Sequence, residues 1–497
     1  MSAPLLATTS TGRLRGCAVA HHVTAFLGIP YAAPPLGPRR FAPPSAPESW
    51  EGVRPADRHG PAPIQGAPAP GRFLADLSSP EQSEDCLYLS VWTPDRDAAA
   101  RLPVMVWFYG GAFVAGSTQV PAYDGARLAS AGVVVVSVNY RLGIFGWLRA
   151  GELGADGNQG LADQSAALAW VQREISAFGG DPDNVTLFGE SAGAASIALH
   201  LAAHRPSSGS APYRRAVLQS GSFNLVSSIA EAEDTAGRVL RHLGVSAATL
   251  RELPTAALRA AQDEATPRSG GVFYRPVADG DRVPVDPAAT LARQGPPVAV
   301  LCGTNRHEMG FFWGREERFD TLEDAFVLAL AARWHHDPEA LVATYRSARA
   351  GRGEPVDNRA VAVAIGTDWT FRAASMALAG WQAGRAGAHA YRLDWCSPLY
   401  DGLVGAAHVL DVPLVFGTFD HHTVAQFSGF DRHPDEVTAL SAAMAAAWVA
   451  FATHGDPGWA PYDLEQRTTR IFGGTSPTEV NPEGIELALW EPLLLRR

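Results

Sequence analysis

The chain contains no lysine. All 40 of its Lys-plus-Arg residues are arginine, which excludes lysine Schiff bases and the lysine of a nucleotide-binding P-loop. Cysteine is sparse, with four residues (Cys17, Cys86, Cys302 and Cys396) scattered over 497. None forms a C-x-x-C pair, and a chain of this length buries a core without disulfide staples. Free thiols in a reducing compartment are the expectation. Basic charge is in deficit, 40 residues against 51 acidic and a net charge of −11, so a nucleic-acid or anionic-membrane partner has no electrostatic support. There is no H-E-x-x-H and no G-x-G-x-x-G opening a helix after a strand, so neither a metal nor a dinucleotide cofactor is expected. The start, Met1-Ser2-Ala3-Pro4-Leu5-Leu6, has no basic and no apolar leader region, and no apolar run approaches membrane-spanning length. A cytoplasmic protein with no cofactor, metal, nucleic acid or membrane partner is the expectation; the oligomeric state stays open between monomer and homodimer.

What is present is globular: 46% hydrophobic and 18% charged residues. Val104–Phe108 and Val133–Val138 are continuous apolar runs, the pattern of strands covered on both faces. Glu84–Trp92, Val185–Phe188, Ala216–Gln219, Val298–Cys302 and His389–Trp395 read as further strands. Between them Leu161, Leu168, Val171, Ile175 and Phe178 fall at helical spacing, ended by Gly179-Gly180 and Pro182. Strand–helix alternation predicts an α/β protein with a mostly parallel central sheet flanked by helices. Two helix-prone stretches, about 228–265 and 320–385, interrupt it and read as lid insertions over the carboxyl edge of one domain spanning 1–497.

The chemistry centres on Val185-Thr186-Leu187-Phe188-Gly189-Glu190-Ser191-Ala192-Gly193. A strand runs into G-x-S-x-G and a small-residue helix follows, so Ser191 sits at the apex of a turn too tight for side chains two residues to either side. A serine nucleophile needs a base, and the base needs an acid to fix its tautomer. Glu308, in the loop after the strand Val298–Cys302, is the candidate acid. Among fifteen histidines, His408 follows a later strand and a glycine-rich loop and is the candidate base. Tyr109-Gly110-Gly111-Ala112-Phe113 leaves the strand Val104–Phe108 as a turn whose amides can face the same cleft. The N–H groups of Gly111, Ala112 and Ala192 then form a candidate oxyanion hole. A plain turn is the alternative for the Gly-Gly pair, and a solvated loop glutamate for Glu308.

Together, Gly189-Glu190-Ser191-Ala192-Gly193, Glu84-Asp85-Cys86-Leu87-Tyr88-Leu89, Tyr109-Gly110-Gly111-Ala112-Phe113, Asn139-Tyr140-Arg141-Leu142-Gly143, Asn158-Gln159-Gly160-Leu161-Ala162-Asp163-Gln164, Phe178-Gly179-Gly180-Asp181-Pro182, Leu218-Gln219-Ser220-Gly221 and Val412-Pro413-Leu414-Val415-Phe416-Gly417 resemble the type-B carboxylesterase family, which includes the cholinesterases. The resemblance runs in order from about Gly12 to Phe472. It implies the α/β-hydrolase fold, hydrolysis of small-molecule carboxylic esters through an acyl-enzyme, no cofactor, and Ser191, Glu308 and His408 as the triad. It also implies that Glu190, with Ser220, organises the site and that Glu84 pairs with Arg40. Two departures stand out. No cysteine occupies residues 60–85 to pair with Cys86, in keeping with an intracellular site. Gly270-Gly271-Val272 stands where cholinesterases narrow the acyl pocket with aromatics. Phe113, Phe311 and Val272 are therefore expected to line a wide pocket, with Phe312 either there or in the core; even activity from acetyl to octanoyl esters would be its signature. The same machinery acting on amides, carbamates, lactones or a dedicated intermediate is the alternative. A non-catalytic binding protein of this fold is disfavoured because all three triad positions are filled.

Overall fold

A computed structural model of the chain describes residues 5–66, 81–204, 211–266, 273–313 and 321–494. Eleven strands form one sheet: β1 (Cys17–Ala18), β2 (Thr24–Pro30), β3 (Tyr88–Thr93), β4 (Leu102–Phe108), β5 (Val134–Val138), β6 (Gly180–Glu190), β7 (Arg215–Gln219), β8 (Ala299–Asn305), β9 (Ala388–Leu393), β10 (Thr468–Phe472) and β11 (Thr478–Val480). Their lateral order is β11-β10-β9-β8-β7-β6-β4-β5-β3-β2-β1. Every neighbouring pair from β10 across to β5 is parallel. The outer pairs are antiparallel.

The apolar runs explain the layering. Along β4, Val104, Val106 and Phe108 enter one core cluster, while Met105 and Trp107 enter the other. Successive side chains of a strand point to opposite faces, so both faces of the sheet are buried under helices. The parallel arrangement brings the carboxyl ends of β4, β6, β7, β8 and β9 to one edge, where open α/β sheets bind ligands.

Three sequence expectations are corrected here. The stretch near 320–385 is not all lid: its last helix, Ala373–Ala383, packs on β8 and β9 as the crossover between them. Strands β10 and β11 extend the sheet beyond those expected, because Thr468–Phe472 is too short and polar to show a clear period. One described helix, Pro434–His454, is 21 residues long and apolar enough to cross a membrane by length and composition. Val437, Leu440, Met444, Trp448 and Phe451 form its buried face, which packs toward β4 and β6; alanines on the other side had masked the run. All four cysteines are free thiols.

Candidate active site

The turn after β6 carries Ser191 at φ 55°, ψ −120°, backbone that a non-glycine residue holds only where its surroundings impose it. The imposition is visible. A Cβ on Gly193 would lie 1.8 Å from the Phe108 carbonyl oxygen, so strand, turn and helix close only over glycine. The Ser191 N–H donates to the Gln219 carbonyl at 2.9 Å, which pins the apex to the end of β7.

Glu308 leaves the loop after β8 fully buried. Its Oε1 accepts from the Ser220 hydroxyl at 2.6 Å and from the Asn305 N–H at 2.7 Å. Its Oε2 lies 2.6 Å from His408 Nδ1. The other ring nitrogen, Nε2, lies 2.9 Å from Glu190 Oε1. The imidazole thus bridges two carboxylates, one from each side. Among the described residues no hydrogen bond joins the Ser191 hydroxyl to His408; in the resting site Nε2 rests on the neighbour of Ser191, and such contacts commonly tighten only with substrate bound.

The electrostatics follow from burial. Burial pushes the Glu190 carboxyl up to about 7, against the opposing pull of His408. Burial alone would lower the His408 imidazole, but the charges of Glu190 and Glu308 outweigh it and raise the group to about 10. Both carboxylates therefore favour the imidazolium, the form that His408 takes on accepting a proton.

The loop after β4 turns through three consecutive positive φ values: Gly111 at 112°, Ala112 at 54° and Phe113 at 63°. The N–H groups of Val114 and Ala115 both bond to the Gly111 carbonyl at 3.0 Å and close the turn. Among the described residues the N–H groups of Gly111 and Ala112 find no acceptor, and neither does that of Ala192 at the first position of the helix Ala192–Ala203. Free amides in successive left-handed residues form an anion-receptive concavity. Among the described residues no group of three or more His, Cys, Asp or Glu is placed to hold a metal ion.

The remaining expected residues take various places. Ser220 stands at the site, its hydroxyl bonded to Glu308. Phe113 has no exposed surface and packs edge-on against Trp147 at 4.9 Å, so its ring belongs to the core. Phe311 and Phe312 do stand at the site, their rings 5.8 and 5.4 Å from the His408 ring, and Phe312 is 41% exposed. Val272 lies outside the described residues. The Glu84–Arg40 pair is present, with Nη2 2.5 Å from Oε1 and Nε 2.6 Å from Oε2. Unforeseen were Asn305, whose side chain donates to the Ala407 carbonyl at 2.6 Å, and His307, which binds Ala406 through both backbone and ring at 2.8 and 3.2 Å. These three bonds join the acid loop to the base loop. Their position beside Glu308 was the only signal in sequence.

A profile of the Carboxylesterase family matches residues 3–476. The chain belongs to the carboxylesterase family. It is 35% identical to the para-nitrobenzyl esterase of Bacillus subtilis (strain 168), covering 96% of each chain. It is 34% identical to the cocaine esterase of Homo sapiens, over 95% of this chain and 88% of that one. Its structure superposes on the carboxylesterase EST55 of Geobacillus stearothermophilus at pH 6.8 with a TM-score of 0.84 and 34% identity, covering 98% of this chain and 100% of the other. This carboxylesterase accordingly has the α/β-hydrolase fold and is a serine-type carboxylic ester hydrolase.

Proposed function

We propose that Ser191, His408 and Glu308 are the nucleophile, the general base and the orienting acid of this esterase. The observation that carries the reading is the 2.6 Å contact of Glu308 with His408 Nδ1, beside a serine held at φ 55°. In acylation the Ser191 oxygen bonds to the ester carbonyl carbon while its proton passes to His408 Nε2. The carbonyl electron pair moves to oxygen, and that oxyanion is received by the N–H groups of Gly111, Ala112 and Ala192. The pair returns, the carbon–alkoxy bond breaks, and His408 delivers its proton to the leaving alcohol. Water repeats the sequence on the acyl-enzyme and releases the acid. Glu308 keeps the proton of the neutral imidazole on Nδ1, leaving Nε2 to act as base. The substrates are small-molecule carboxylic esters. Incubation with diethyl p-nitrophenyl phosphate tests the assignment. One diethylphosphoryl group per chain, on the peptide holding Ser191, is expected; labelling elsewhere or none at all overturns it.

A further inference from the structure

Between the helices Asn358–Thr367 and Ala373–Ala383 the backbone widens into a π-helical turn, Asp368–Arg372. Such turns are rare and recur at functional sites. This one sits at the back of the proposed triad and, through adjacent residues, touches the His408 imidazole and the loop that carries Glu308.

Phe371 is buried, with its ring centroid 4.6 Å from that of the His408 imidazole and its plane tilted by 32°. Arg372, also buried, faces the acid loop. Its Nη2 donates to the Arg306 carbonyl at 2.9 Å and the Asn305 carbonyl at 3.4 Å, and its Nε to the Thr304 hydroxyl at 3.3 Å. The third arm, Nη1, donates to Asp368. Asp368 is fixed in turn by the Tyr345 hydroxyl at 2.6 Å, which accepts from Trp490 Nε1 at 2.7 Å. On the far side of Glu308, the Met309 N–H donates to the Thr367 hydroxyl at 3.4 Å. Residues 304–306 and 309 are therefore both tied to this turn or the residue before it, and Glu308 lies between them.

A buried ion pair is by itself weak grounds for assigning a role. Here, however, the acceptors of the guanidinium are consecutive groups of the loop that carries Glu308, and the adjacent side chain lies against the imidazole that Glu308 contacts. A planar, multi-donor guanidinium can hold three such acceptors at once, and an ammonium cannot reproduce that fork. We propose that the π-helical turn is a positioning element for the acid–base pair: Arg372 fixes the loop bearing Glu308, and Phe371 fixes the imidazole of His408. The inference rests on the proposed roles of those two residues.

The test compares Arg372→Met, Arg372→Lys and Phe371→Leu with the unaltered enzyme on p-nitrophenyl acetate, with Ser191→Ala as control. Competent sites are counted in each by the p-nitrophenol released on exhaustive reaction with diethyl p-nitrophenyl phosphate. Misplacement of a reacting group by about 1 Å costs on the order of 10²-fold, so kcat per competent site should fall roughly 10- to 100-fold in Arg372→Met. Acylation and deacylation use the same pair, so KM should stay within about twofold. Arg372→Lys should recover part of the loss, and Phe371→Leu should lower kcat per site at unchanged KM. A merely structural role would reduce the number of competent sites and the melting temperature and leave kcat per site intact; that result overturns the inference. If Arg372→Met does not accumulate as folded protein, Phe371→Leu decides, with unchanged kcat per site overturning the proposal. Residual turnover in Ser191→Ala would instead unseat the triad reading itself.

Discussion

Glu190 and His408 face each other in the buried site. Nε2 lies 2.9 Å from a Glu190 carboxylate oxygen that has no other hydrogen-bond partner among the described residues, and the charges of Glu190 and Glu308 lift the imidazole to about 10 against the effect of burial. The base works neutral, so its rate falls as pH drops through its own pKa. Glu190→Gln removes one of the two charges that raise that pKa. The acid limb of kcat/KM should therefore move to lower pH in the variant, and an unmoved or upward-shifted limb would contradict the coupling. Little of this pairing was visible in sequence. Ser191 was legible because strand, turn and helix are contiguous. The resemblance placed Ser220 at the site without naming its partner, and only the folded chain shows that its hydroxyl bonds Glu308.

At the scale of elements, the turn after β4 carries the proposed oxyanion hole in backbone that glycine and two left-handed residues make possible. Gly111 has φ 112°, and a Cβ there would lie 2.2 Å from the Ala115 carbonyl oxygen. Gly111→Ala must displace the turn and with it the free amides of Gly111 and Ala112. Loss of one hole donor costs about 10²–10³ in rate, so kcat/KM should fall by at least about 10²-fold, checked on p-nitrophenyl acetate with the melting temperature measured alongside. A proline at Ala112, the obvious way to delete one N–H, is unsuitable because its ring fixes φ near −65° while Ala112 sits at 54°. The strands of the sheet's centre were legible from their apolar runs, which need no partner to be recognised. The π-helical turn was not: Asp368–Arg372 reads as ordinary helix, and only the folded chain sets it against the His408 ring and the loop that carries Glu308.

At the scale of the whole molecule, charge pairs attach the last helix, Gly484–Leu494, to the body. Arg352 pairs with Glu486, and Arg392 of β9 holds Glu483 just before the helix at 2.6 Å. Burial alone would raise the Glu483 carboxyl, but Arg372 and Arg392 outweigh it and bring the group down from 4.5 to about 2. A carboxyl depressed on folding contributes stability that is full above its unfolded pKa and is lost as pH falls through its folded one. A shift of that size corresponds to about 3 kcal/mol. Glu483→Gln should therefore lower the melting temperature at pH 7, and the gap from the unaltered enzyme should narrow as pH falls from about 4.5 toward 2. A gap constant with pH would contradict the ion-pair account. These pairings join residues far apart in the chain, which is why the alternation of strands and helices predicted the sheet but not what closes it.

The most direct test of the whole account is the turnover of p-nitrophenyl acetate by Ser191→Ala. Ser191 is held by its neighbours at φ 55°, and the alanine variant keeps that backbone and every amide of the proposed hole. The account predicts a folded protein with an unchanged melting temperature and no p-nitrophenol release above the rate left by binding and the oxyanion hole alone, a loss on the order of 10⁶-fold in kcat for triad enzymes. Substantial turnover by the folded variant would contradict Ser191 as the nucleophile, and with it the roles given to His408 and Glu308.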